Sequence, residues 1–153
     1  MIEHRNVVQQ ISALQTLYGL NPTDRLLQFA ALSFDMSVEE IGGALLSGAT
    51  LVLRTDAWLG DPQSWSSLCE RHGISVANLP TQFWQQLAQA RDVSIPSSLR
   101  QIMIGGEAVS HAALQDWWSR QGYLPVLYNA YGPTETTINA SILRCQPDSP
   151  ASS

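Results

Sequence analysis

Short apolar runs alternate with helix-length amphipathic stretches along this chain, and that order restricts the fold more than any other feature. Residues 26–30, 50–53, 74–79, 101–104 and 126–128 read as strands, and runs this short and this poor in charge suit strands buried on both faces. The stretches between them carry helix start and stop signals. Val7, Ile11, Leu14 and Leu17 recur at helical spacing over 6–18, and Gly19, Asn21 and Pro22 end that run. Ser37 and Glu40 stand in the S-x-x-E order of a capping box, which predicts a helix over 37–47 closed by Gly48. Asp61 and Pro62 open the next helix, which Gly73 stops, and two more follow over 81–90 and, behind Ser110, over 111–120. Strands joined by helices make βαβ units, so the expected fold class is α/β, a largely parallel sheet with flanking helices.

Composition narrows the function classes. The net charge is −5 and the eight Lys and Arg are scattered, so the basic stripe of a nucleic-acid binder is missing and no nucleic acid is expected as a partner. Cys69 and Cys145 lie far apart, and His4, His72 and His111 have no metal-ligand spacing; a reducing, cytoplasmic setting is expected. No apolar stretch approaches the roughly 18 to 20 residues of a membrane span, and the start MIEHRN is polar, so neither membrane helix nor signal peptide is expected. Charged residues are only 14% of the chain against about a quarter in a typical soluble domain, and there are five tryptophans, which together suggest a surface that expects a neighbour. Residues 146–153 are rich in Pro, Ser and Asp and read as a disordered tail on a domain spanning 1–145.

Polar or glycine residues gather at three predicted strand ends, in residues 33–37, 105–107 and 129–137. Ligands of parallel α/β sheets bind beyond the carboxyl ends of the strands, so all three can line one cleft. Taken singly each has a plain structural reading: Gly105-Gly106 as a strand exit, Ser37 or Asp35 as a helix cap, Gly132-Pro133 as a turn.

The third segment, NAYGPTETT, resembles residue for residue the signature of adenylate-forming enzymes, in the form found in nonribosomal peptide synthetase adenylation domains. FDMS is similar to their FDxS motif, GGE to their GGE element, and EHRNV to the segment after their phosphate-binding loop, all in the family's order. The resemblance covers the chain except its tail. It implies part of the large N-terminal subdomain of an AMP-binding enzyme that joins an amino-acid carboxylate to AMP at the expense of ATP. It also implies, for the intact enzyme, Mg²⁺, a peptidyl carrier domain with phosphopantetheine, and condensation domains. By resemblance Thr134 and Glu135 are the catalytic residues, Thr134 on the α-phosphate and Glu135 on the metal, while Gly106, Asn129, Ala130 and Tyr131 surround the adenine. Asp35 is the residue that binds the substrate's α-ammonium. These types suit the chemistry, which must hold two anions together and neutralise the charge that develops between them. Tyr131 offers an aromatic plane and Gly106 a close backbone approach.

The family's specificity positions fall on Asp35, Met36, Glu39, Asn78, Met103, Gly105, Ala130, Ile138 and Asn139. One acid beyond Asp35 and two amides resemble pockets for ornithine derivatives in siderophore synthetases. Glu39 is free either to face that pocket or to lie exposed on its helix. The family's phosphate loop, ribose-binding Asp, hinge and small C-terminal domain with its catalytic Lys have no counterpart here, so the chain reads as a piece expected to be inactive alone. Gly42 stands where the family usually has a bulky aromatic. Two other readings remain open: an acyl-CoA or aryl-acid ligase, which would have no use for Asp35, and a truncated, non-catalytic gene product.

Overall fold

All five apolar runs become strands. The computed structural model describes residues 1–147, and within them β1 (Arg25–Gln28), β2 (Thr50–Leu53), β3 (Val76–Pro80), β4 (Gln101–Gly105), β5 (Val126–Tyr131) and β6 (Ser141–Arg144) form one sheet in the order β2-β1-β3-β4-β5-β6. The first five strands pair in parallel. The expected α/β class and largely parallel sheet are what the chain forms. β6 was not expected: it returns antiparallel along β5, with Ala130 opposite Ile142, and its run of two apolar residues is too short to stand out in sequence.

Period-two burial splits the core into two layers. Leu27, Ala77, Ile102, Ile104 and Leu127 face α3 (Pro62–His72), α4 (Thr81–Gln89) and α5 (His111–Trp118). Their neighbours Leu26, Val76 and Met103 face α1 (His4–Tyr18) and α2 (Met36–Ser47). Trp58, Trp65, Trp84 and Trp117 are fully buried in the first layer, so these tryptophans fill the core and do not await a neighbour. The exposed apolar residues include instead several leucines, among them Leu45, Leu46 and Leu53.

Two arginine-centred knots tie loops to this sheet. Asp24, 3% exposed, accepts from both Nε (2.8 Å) and Nη2 (2.7 Å) of Arg100, from Ser75 Oγ and from the Asn21 backbone. Arg100 also donates to the carbonyls of Tyr18 and Gly19, which closes α1 against β1, β3 and β4. Burial alone would raise the Asp24 carboxyl, but Arg100 and Ser75 outweigh it and hold the group below the usual carboxylate range. Arg120 donates to the carbonyls of Leu87, Ala90 and Val93 at the end of α4. That use takes it out of its own helix, so α5 ends at Trp118 rather than at the expected residue 120.

Helix α2 corrects a second expectation. Its N-cap is Asp35, no side chain caps it, and Ser37 Oγ donates to the Phe34 carbonyl (2.7 Å) instead of serving a capping box. Glu40 turns away from the helix start into the protein. At Gly42 a Cβ would already lie 3.2 Å from two carbons of Ile11, so Ile11 fills the space that the aromatic of the family would need. The expected disordered tail lies outside the described residues except for Gln146 and Pro147.

Candidate active-site cleft

The strand order reverses at β1, since β2 lies on one side of it and β3 on the other, and a sheet of this kind opens a crevice above that point. A cleft of about 480 Å³ runs there along the carboxyl ends of the strands. Phe29, Ala30 and Ala31 follow β1, Arg54 and Leu59 follow β2, Pro80 ends β3, Gly105 to Glu107 leave β4, and Ala130, Gly132, Ile138 and Asn139 leave β5. This volume suits a small-molecule ligand.

Six of the nine expected specificity residues line the cleft: Asp35, Met36, Gly105, Ala130, Ile138 and Asn139. Asp35 Oδ2 is buried there with no hydrogen-bond partner. An unpaired carboxylate oxygen in a cleft is costly until a donor arrives, and an ammonium supplies a charge-assisted one. Gly105 leaves no extra pocket length: its missing Cβ is where the Ala130 carbonyl oxygen lies, 2.8 Å away, so β4 needs glycine to pair with β5.

Glu39, Asn78 and Met103 sit one layer deeper, around a void of about 10 Å³ shared with Tyr18 and Glu40, enough for roughly one water. Glu39 is buried, not exposed on the helix, and accepts from Asn139 Nδ2. Burial pushes its carboxyl up to about 7, against the opposing pull of Asn78, Asn139 and Tyr18, and pushes Glu40 up to about 8 despite its backbone donors. The Tyr18 hydroxyl beside Glu39 has no hydrogen bond of good geometry, and burial drives its titration far above the ordinary range. Between the ordinary carboxylate range and about pH 8, the folded chain therefore holds protons that the unfolded chain has released, so stability falls as pH rises through this window. The melting temperature should drop from pH 5 to pH 9, and the double variant Glu39→Gln, Glu40→Gln should flatten that slope; an equally steep slope in the variant would assign it to other groups.

The segment from Gly132 to Ala140 forms the far wall. Its 3-10 turn, Thr134–Thr136, leads into Thr137 and Ile138 at φ 65° and 74°, a left-handed backbone that β-branched residues rarely adopt. Bonds from Ala140 N to the Tyr131 carbonyl (2.8 Å) and from Gln10 Nε2 to the Asn139 carbonyl (2.9 Å) hold it there. Asn129, Tyr131, Thr134 and Glu135 are not brought into the cleft walls. Asn129 is half-buried within β5, while Tyr131, Thr134 and Glu135 are exposed beyond its end. Gly106, at φ 91°, has nothing within 4 Å of where a Cβ would be, so its backbone face is open to a ligand.

Glu135 is a lone carboxylate, and among the described residues no three His, Cys, Asp or Glu gather to hold a metal. One carboxylate with phosphate oxygens and water is how Mg²⁺ is commonly held, so the donor set fits a metal arriving with a nucleotide. Sequence reasoning passed over Phe29, Ala30 and Arg54 as cleft residues, whereas Glu107 lies in a segment expected to line it. The strand-end rule, applied equally to β1 and β2, identifies all three.

Comparison with known proteins agrees with this fold. The family model "AMP-binding enzyme" matches residues 1–153. The isonitrile lipopeptide synthase of Streptomyces coeruleorubidus is 40% identical over 144 residues, covering 92% of this chain and 10% of that protein. Among solved structures, the Vibrio cholerae adenylation domain AlmE, in complex with glycyl-adenosine-5'-phosphate, superposes with a TM-score of 0.81 at 30% identity, over 97% of this chain and 28% of that one. Holo-PA1221, a peptide synthetase protein containing adenylation and PCP domains, gives 0.70 at 31% identity, over 84% of this chain and 22% of its own. The chain spans about a tenth of the isonitrile lipopeptide synthases it matches. On fold, motifs and these likenesses together, the chain belongs to the AMP-binding enzyme family, and within it to the adenylation domains of peptide synthetases.

Proposed function

We propose that the cleft is the amino-acid pocket and part of the nucleotide site of a domain that joins an amino-acid carboxylate to AMP, releasing pyrophosphate, and hands the acyl group to the phosphopantetheine of a carrier domain. The unpartnered, buried Asp35 Oδ2 carries this reading, because it calls for a cation where a fatty or aryl acid would present none. Thr134 would donate to the α-phosphate and Glu135 would hold Mg²⁺, which on binding supplies the positive charge that offsets the phosphates. The open backbone at Gly106, with Asn129, Ala130 and Tyr131, would take the adenine. Condensation domains as further partners and a cytoplasmic setting, consistent with the buried free thiols of Cys69 and Cys145, belong to the same proposal.

For the substrate we infer a polar, ornithine-type side chain, such as an N-hydroxylated or formylated hydroxyornithine of the siderophore kind. Asn139 on the cleft wall, with Glu39 and Asn78 one layer beneath it, supports it: the Glu39 carboxyl is already bonded to Asn139, so an incoming donor shares that network rather than neutralising a bare charge.

Both parts are tested in one chimera, with residues 1–145 replacing the matching segment of a complete adenylation domain. Pyrophosphate exchange should appear with amino acids, and Asp35→Ala should lower kcat/KM for all of them by roughly 10 to 100-fold, the worth of a charge-assisted hydrogen bond. Glu39→Ala should weaken ornithine derivatives more than norleucine. Activation of an aryl or fatty acid that is indifferent to Asp35→Ala would instead establish the acid-ligase reading.

A further inference from the structure

Glu40 is 2% exposed, although it lies in the second turn of α2, where an acid would ordinarily reach for water. Its Oε1 accepts from the backbone N–H groups of Phe29 (3.1 Å) and Ala30 (3.2 Å), and Oε2 lies 3.2 Å from the Ala30 nitrogen. These two residues come just after β1, where the ladder to β2 stops at Gln28 and that to β3 at Leu27. Glu40 thus takes over backbone donors where the sheet lets go of them. Phe29, Ala30 and Ala31 then form the cleft wall, and four residues later the chain reaches Asp35. The far end of the same loop is held by α2 as well, through Asp35 as N-cap, the Val38 N–H on the Asp35 carbonyl (2.9 Å) and Ser37 Oγ on the Phe34 carbonyl.

One helix therefore grips the loop at both ends. An apolar side chain at position 40 would pack against the same core, but it would leave two buried N–H groups without acceptors. Oε1 receives both N–H groups, while Oε2 only shares that of Ala30 and takes a long 3.5 Å contact from Gln28 Nε2, so the arrangement survives with an acid protonated on Oε2, which agrees with the upward shift of this carboxyl. We propose that Glu40 is a positioning residue of the cleft: by holding the Phe29 and Ala30 amides on α2, it fixes the loop that presents Asp35 to the substrate ammonium. The ligand side of this inference rests on the proposed function; the grip itself does not.

The test uses the whole chain, read by residue-resolved amide hydrogen exchange and by binding of two probes, a non-hydrolysable aminoacyl-adenylate analogue and AMP. In Glu40→Leu the amides of Phe29, Ala30 and Phe34 should exchange at least about 10-fold faster while Leu27 and Ile104 stay within about 3-fold, a local and not a global opening. The analogue should bind about 10-fold more weakly, with AMP changed less than about 3-fold, since only the analogue carries the ammonium. Glu40→Gln keeps an oxygen where Oε1 is and should restore both readouts.

Faster exchange that includes Leu27 and Ile104, or equal weakening of analogue and AMP, would show general support of the fold and overturn the proposal. Acceleration that stops at Ala30 and spares Phe34 would overturn it too, as would a Gln variant as impaired as Leu. If the unsubstituted chain does not bind the analogue, binding is read in the chimera described above, where failure counts against the proposed function, and the exchange pattern decides the role of Glu40.

Discussion

Arg100→Ala should destabilise the fold by about 3 to 5 kcal/mol, the usual loss when one partner of a buried ion pair is removed. The loss arises less from Arg100, whose side chain is 35% exposed, than from Asp24, which at 3% exposure would keep its charge with only Ser75 and Asn21 as donors. The Tyr18 and Gly19 carbonyls lose their donor in the same step. Against a typical stability of about 5 to 15 kcal/mol, the variant approaches the unfolding threshold. Arg100→Lys should recover little, because one ammonium cannot span two carboxylate oxygens and two carbonyls as a guanidinium does. Urea melts of the three proteins measure this, and a loss below about 1 kcal/mol for the alanine variant would show that Asp24 finds water instead.

Gly132→Ala should damage the site most severely. A Cβ there would lie 2.5 Å from both Ala140 N and the Ile138 carbonyl oxygen and 2.7 Å from Asn139 Cα, all backbone atoms that cannot rotate aside. Overpacking usually costs about 1 to 3 kcal/mol when side chains can adjust, so the loss here should reach about 3 kcal/mol or more. The strain should also pull Ile138 and Asn139 off the cleft wall. In the chimera this predicts loss of amino-acid activation together with a lower urea midpoint. A variant with unchanged midpoint and activity would mean that the wall between residues 132 and 140 is far softer than its contacts indicate.

Much of the fold was legible because strand runs and glycine stops are local signals. All five parallel strands lie within two residues of their expected starts, since β-branched and aliphatic runs between Gly and Asp have few alternatives. β6 was not legible, for its partner is chosen by the turn that precedes it rather than by its own residues. The Ser37 and Glu40 pattern misled for a related reason: a capping box and a buried acid look alike in sequence, and only the Phe29 and Ala30 amides, which the sheet leaves to Glu40, decide between them. In the site, Asp35 was readable as a motif residue, but its empty oxygen was not. The depth of Glu39 was equally hidden, because it depends on how α1 brings Tyr18 over α2.

The left-handed backbone at Thr137 and Ile138 bears on how such a pocket could change its substrate. Each such residue carries a conformational cost of order 1 to 3 kcal/mol that its surroundings must sustain. An exchange at Ile138 therefore alters two things at once, the shape offered to the ligand and the energy of the loop that offers it. Glycine or asparagine there would relax the loop while erasing the contact, and any bulkier residue would inherit the strain without the fitted neighbours. Met36 on its helix and Ala130 on its strand bear no such load. Drift toward a new amino acid is accordingly less obstructed at those two positions, and Ile138 is the position where a transplanted specificity would fail for reasons unrelated to fit.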